Sequence, residues 1–182
     1  ISIQLRAIAE LEKKYPYTRL IVAGDGPERK HLEKMARELG VPDRVTFKGT
    51  VKDVVSVFAG ADCFVLTSHE EGYGLAAVEA ACFGLLVVMT DVGCAGEVII
   101  NGKNGIVVPV GDKQALVRAM EKIMKDANMR RAMQEAHKAV CQKIYDLVWP
   151  RFLFAKAKKI IGVDDNFVQN LKFFKIVKDK IT

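Results

Sequence analysis

No apolar run in the 182-residue sequence approaches the ~20 residues needed to cross a bilayer, so a membrane-spanning helix is not expected. Glycine and proline are unremarkable, at 14 and 5, and half of the residues are hydrophobic. Collagen-like repeats, coiled coil and intrinsic disorder are therefore excluded. There is no internal repeat and no low-complexity linker. The four cysteines, Cys63, Cys82, Cys94 and Cys141, form no Cys-x-x-Cys pair. Three of them sit in apolar segments, which predicts reduced core thiols in a cytoplasmic protein. Ile1 to Arg6 carries no basic leader before an apolar stretch, so no secretory signal is expected.

Charge is unevenly placed. Residues 1–150 hold 20 Lys/Arg against 19 Asp/Glu, whereas residues 151–182 hold eight against three. A near-neutral body with a cationic tail does not fit a nucleic-acid binder, so no nucleic-acid partner is expected.

What is present is an alternation of strands and helices. Helical periodicity runs over Ile1 to Lys14 through Leu5, Ile8 and Leu11. A short strand, Arg19 to Ala23, leads into Gly24-Asp25-Gly26-Pro27 and a helix closed by Gly40. Val45 to Lys48 is a second strand, and a helix follows through Val54, Val57 and Phe58. Cys63 to Thr67, Leu86 to Thr90 and Gly105 to Val108 read as further strands. The first two are apolar enough to be covered on both faces. Leu75 to Phe83, Asp112 to Asp126 and Met129 to Tyr145 read as helices, and another begins near Trp149-Pro150. The pattern predicts an α/β domain with a doubly wound parallel sheet over residues 1–162, followed by a basic amphipathic tail, 163–182.

Ligands of such sheets bind beyond the carboxyl ends of the strands, so the loops there carry the candidate chemistry. Gly24-Asp25-Gly26-Pro27 resembles the start of a dinucleotide fingerprint, but Arg29 stands where the third glycine belongs. Gly24 and Gly26 fit equally a plain turn that needs positive φ. A phosphate-binding loop at Gly102-Lys103 fails, with Glu97 and Asn104 at its required positions. The loop Ser68-His69-Glu70-Glu71-Gly72-Tyr73-Gly74 is more informative, because it runs from a buried strand into a helix opened by glycines. Free amides there, at the positive end of the helix dipole, suit an anion. Within Leu75 to Phe83 only Glu79 is polar, and a carboxylate on such a helix needs partners such as paired sugar hydroxyls. His69 is read as a loop residue, and His31 and His137 are placed on polar helical faces.

Glu71 and Glu79, separated by seven residues that include Gly-Tyr-Gly-Leu, resemble the donor-site signature of the retaining nucleotide-sugar glycosyltransferases of family 4, or group 1, with the GT-B fold. The similarity covers about residues 1–145: Leu20 to Pro27, Arg44 to Val51, Ala61 to Ser68, Glu71 to Gly84 and Asn104 to Asp112 fall in the family's order. The resemblance implies that the chain is the Rossmann-like, donor-binding half of a two-domain enzyme. It also implies that Glu79 binds the ribose hydroxyls of the nucleotide. Glu71 would act in catalysis, contacting donor-sugar hydroxyls and stabilising oxocarbenium-like charge. Gly24, Gly26, Gly72 and the backbone amides of Tyr73, Gly74 and Leu75 would line the donor site, and Val51 would meet the base through its main chain. No metal or other cofactor is expected, the nucleotide-diphosphate sugar being the donor substrate.

Departures from the family pattern carry expectations of their own. The Arg and Lys that neutralise the diphosphate stand, in the family, just before the helix that opens this sequence. The acceptor site and a catalytic His belong to an N-terminal domain, so the isolated chain is expected to be inactive. The family's proline after the second-glutamate helix is replaced in Gly84-Leu85-Leu86, which is expected to relax the turn. In the tail, Phe167, Leu171, Phe174, Val177 and Ile181 share one helical face. That face fits either docking on the N-terminal domain or attachment to the inner face of a membrane, which would suit a lipid-linked acceptor; a lipid-linked or a polysaccharide acceptor is expected. Nucleotide-sugar epimerases share the fold but lack this glutamate pair. A non-catalytic nucleotide-binding or interaction module is the alternative.

Overall fold

The computed structural model describes residues 1–148, with side chains through His137. Helix α1 (Ser2–Leu11) is followed by strand β1 (Leu20–Ala23), α2 (Arg29–Glu38), a 3₁₀ turn (Pro42–Arg44) and β2 (Val45–Gly49). Then come α3 (Val54–Ala59), β3 (Cys63–Leu66), α4 (Leu75–Cys82), β4 (Leu86–Thr90), β5 (Ile106–Val108), α5 (Lys113–Lys125) and α6 (Ala127–Val148). All strand pairings are parallel, so the expected α/β class holds. The hydrogen bonds divide the strands into two sheets, β1-β2 and β3-β4-β5, rather than one. The boundary at residue 162, the tail and the helix expected near Trp149 lie outside the described residues.

Turn chemistry sets the helix ends. Asp53 caps α3 by accepting from the Ser56 amide, and Asp112 caps α5 by accepting from Ala115. Gly40, at φ 75°, ends α2: its amide bonds the Arg37 carbonyl while Val41 N–H reaches back to Ala36. Gly84 does the same for α4, with Gly84 N–H on Ala81 and Leu85 N–H on Ala80 at 3.0 Å. A proline at position 85 could not make that last bond. Leu85 therefore tightens the turn by one hydrogen bond and buries its side chain, contrary to the expected relaxation.

The two faces of β4 hold two cores. Val87 and Met89 join Phe58 and α4, whereas Leu86 and Val88 pack with α5 and with Ala7 and Leu11 of α1. All five β4 residues are buried, as their apolar run predicts, but every residue of β3 is only half-buried. A third core sets Leu5 and Ile8 of α1 against Val22, Val45 and α2. One helix thus braces both sheets. Between its two apolar stripes, the buried Gln4 donates to the Val65 carbonyl and the Thr67 hydroxyl at the end of β3.

Candidate functional site

The residues predicted to form a site fall on loops of both sheets. Gly24 and Gly26 follow β1 and Val51 follows β2. Gly24 has φ 131° and its amide bonds the Gly49 carbonyl at 2.8 Å, whereas Gly26 does not adopt positive φ. That corrects the expectation that both glycines serve a positive-φ turn. Arg29, where a third glycine was sought, ties this corner together. Its guanidinium reaches Asp25, Glu33 and the Phe47 carbonyl.

The second group lies between β3 and α4. Ser68 donates to Glu71 Oε1 at 2.7 Å, and the Ser68 carbonyl accepts from the Thr90 hydroxyl, also at 2.7 Å. Glu71 is thereby aimed by the carboxyl ends of two neighbouring strands. Gly72 and Tyr73 are exposed, and Gly74 is buried at φ 79°, where a Cβ would meet Leu66 and Cys94. With glycine at the N-cap, no side chain caps α4. The amides of Ala77 and Val78 return to the Gly74 carbonyl, which leaves those of Gly74, Leu75 and Ala76 without an acceptor among the described residues. Glu79 lies one turn below the exposed Leu75, half-buried, and its carboxylate has no ion pair or hydrogen bond among the described residues. The helix is therefore less enclosed than its sequence suggests, because its first turn forms the mouth of the site.

A third loop, between β4 and β5, closes against this one. Cys94 N–H bonds the Tyr73 carbonyl at 2.8 Å. At Gly93, whose φ is 57°, a Cβ would come within 2.7 Å of that carbonyl oxygen and 3.1 Å of Glu71 Cβ. Glycine is required there by both the backbone and the space. Burial, and then the charges of Glu97 and Glu71, raise the Cys94 thiol above its usual range. None of Ser68, Thr90, Gly93 and Cys94 was picked out from the sequence as a site residue. Ser68, three positions before Glu71, was the one readable signal.

Further round the same loop, Asn104 is fully buried. It accepts from Ile100 N–H and donates to the Val98 carbonyl at 2.8 Å. Its own carbonyl meets His137 Nε2. His137 is 1% exposed, not on a polar face as expected, and burial lowers its pKa to about 4. Cys63 and Cys94 are free thiols as predicted; burial, with Asp62 nearby, pushes Cys63 up to about 12. A cavity of about 210 Å³ lined by residues including Ile106, Arg118, Lys122 and Met133 contains none of the predicted site residues.

The arrangement sets a helix start with unsatisfied amides beside two carboxylates, Glu79 without a partner among the described residues and Glu71 accepting from Ser68 through one oxygen. Residues 1–140 match the family model described as glycosyl transferases group 1, and the chain belongs to that family. It is 34% identical over 128 residues to a lipopolysaccharide core biosynthesis glycosyltransferase, LpsE, of Rhizobium meliloti, covering 70% of this chain and 38% of that relative. The chain spans about a third of the length of the curated relatives it matches. Its fold matches the crystal structure of the C-terminal domain of a group 1 glycosyltransferase, LpcC, from Francisella tularensis. The TM-score is 0.71 at 25% identity, covering 79% of this chain and 78% of that one. It also matches Anabaena HepE, solved in complex with UDP, with a TM-score of 0.69 at 26% identity over 81% of this chain and 44% of that one.

Proposed function

We propose that this chain is the donor-binding half of a glycosyltransferase, holding a nucleoside diphosphate sugar for transfer to an acceptor on a second domain. The observation that carries the reading is the unsatisfied amide cluster of Gly74, Leu75 and Ala76 between Glu71 and Glu79. A diphosphate is already a good leaving group, so the protein's task is to stabilise its departing charge. Amides at a helix start do this without reorganising. Glu79 accepts from the ribose hydroxyls. Glu71, held by Ser68, accepts from sugar hydroxyls and offsets oxocarbenium-like charge in the transition state. Tyr73, Gly74 and Leu75 contribute amides, while Gly24, Gly26 and Val51 receive the base side of the nucleotide.

Departure of the diphosphate without a metal belongs to the same proposal, as do retention of configuration, membership of family 4 and a cytoplasmic location. So does a lipid-linked or polysaccharide acceptor; the name of LpsE, a lipopolysaccharide enzyme, supports the lipid-linked class. Among the described residues no helix is long and apolar enough to cross a membrane.

Calorimetry on two variants tests the assignment of roles. Glu79→Ala is expected to weaken free nucleoside diphosphate and its sugar conjugate alike, by about tenfold, the cost of one or two hydrogen bonds to a charged group. Glu71→Ala is expected to weaken only the conjugate. Equal losses of both ligands in both variants would overturn this division.

A further inference from the structure

Strand β4 is buried along its whole length and is apolar up to its last residue, Thr90. Thr90 is 1% exposed and has no part in the roles assigned above. A valine would fill the same space, and a hydroxyl is costly to bury unless it finds a partner. Its partner is the Ser68 carbonyl, at 2.7 Å, which has no other donor among the described residues. The backbone ladder between β3 and β4 ends at Leu66 and Met89, so Thr90 stands one residue beyond the last pair. There a side chain takes over from the ladder, and the chain leaves the sheet as the donor loop. Ser68 in turn places its own hydroxyl 2.7 Å from Oε1 of Glu71. Two short hydrogen bonds thus form a relay from the core to a carboxylate of the site. The root of that side chain is backed as well, since a Cβ at Gly93 would lie only 3.1 Å from Glu71 Cβ.

We infer that Thr90 is a positioning residue of the donor site, which fixes the Ser68 carbonyl and so aims the Ser68 hydroxyl and the Glu71 carboxylate at the donor sugar. The inference rests on the donor-binding reading and adds to it a residue that touches no ligand. It also divides the donor loop into two separately held parts. Thr90 holds Ser68 at the start of the loop, whereas the Cys94 amide holds the Tyr73 carbonyl near its end, at 2.8 Å. The glutamate depends on the first hold, and the amides of Gly74, Leu75 and Ala76 depend on the second. Loss of the Thr90 hydroxyl therefore disturbs the sugar end of the ligand and spares the diphosphate.

The test compares Thr90→Val, which keeps the buried shape, with Thr90→Ser, which keeps the hydroxyl and gives up a methyl group. The first readout needs no ligand. The carboxylate carbon of Glu71, identified by NMR as the signal lost in Glu71→Ala, is expected to shift in Thr90→Val and to stay in place in Thr90→Ser. An unmoved signal in Thr90→Val would overturn the relay itself. The second readout is calorimetry with whichever of UDP, GDP and ADP binds the wild type, and with the tightest-binding of its sugar conjugates. Thr90→Val is expected to weaken the conjugate about fivefold, the value of one hydrogen bond, with the free nucleotide within twofold. Thr90→Ser is expected to bind both ligands within twofold of the wild type, although its lost methyl lowers the urea midpoint. A residue that only packs would give the reverse order, with the serine variant binding worse than the valine variant. In a Glu71→Ala background Thr90→Val should have no further effect on the conjugate. The reverse order, equal weakening of both ligands, or an undiminished effect in that background would overturn the positioning role. A wild type that binds no nucleotide at all would sink the donor reading and this inference with it, whatever the carboxylate signal showed.

Discussion

At the scale of single residues, the buried polar pair Asn104 and His137 shows what the sequence conceals. Asn104 stood out only as the edge of a family segment and as a mismatch in a failed phosphate loop, yet its side chain satisfies two backbone groups in a loop without regular structure. Asn104→Ala would leave Ile100 N–H and the Val98 carbonyl unpaired. The expected cost is about 2–4 kcal/mol, measured as a lower midpoint in urea unfolding. His137 was misplaced on a polar face because Arg130, Arg131, Gln134 and Glu135 dominate that stretch. Met133, one turn earlier, is 2% exposed and marks the buried stripe. The lowered pKa of His137 has a definite sign. Between about pH 6.5 and 4 the unfolded chain binds a proton that the folded chain refuses, so stability falls with pH across that window. The loss amounts to about 3 kcal/mol by pH 4. His137→Gln, followed by thermal unfolding at pH 7.5 and pH 4.5, should show a flatter dependence than the wild type. An unchanged slope would mean that other groups control acid stability.

Among the elements, α1 does more than its periodicity announced. Leu5, Ile8 and Leu11 are visible as an apolar stripe, but the stripe is split: Leu5 and Ile8 face one sheet and Leu11 the other. Strand sequences specify burial better than neighbours. Nothing in the alternation of Leu20 to Ala23 or Cys63 to Leu66 says that β1 and β3 pair with β2 and β4 but not with each other. Helix ends were more legible, because Asp53, Asp112, Gly40 and Gly84 act through local chemistry that needs no knowledge of the rest of the chain. Gln4 is where the unread part concentrates, a buried amide on an otherwise apolar face. Gln4→Leu is expected to cost about 1–2 kcal/mol by leaving the Val65 carbonyl without a partner. It should also raise amide exchange in residues 67–74, which continue from the strand that Gln4 supports. Exchange confined to α1 would contradict the brace.

For the whole molecule, the candidate site residues lie on loops of both sheets. Gly24, Gly26 and Val51 follow β1 and β2; Glu71, Tyr73, Gly74, Leu75 and Glu79 follow β3; Gly93 and Cys94 follow β4. The rule that ligands meet the carboxyl ends of parallel strands pointed to the loops of the first two groups, and the family resemblance supplied residues within them, Val51 among them. The third depends on which loops pack together. That is settled by a 2.8 Å hydrogen bond and a glycine contact, neither of which has a local signature. The central claim is that these loops hold a nucleoside diphosphate sugar through backbone amides and carboxylates. Calorimetric titration of this chain with UDP, GDP and ADP and their sugar conjugates, in buffer containing EDTA, tests it most directly. The account predicts saturable binding of one nucleotide that survives EDTA and is weakened in Glu79→Ala. Binding that appears only with added Mg²⁺, or is indifferent to Glu79, would contradict it.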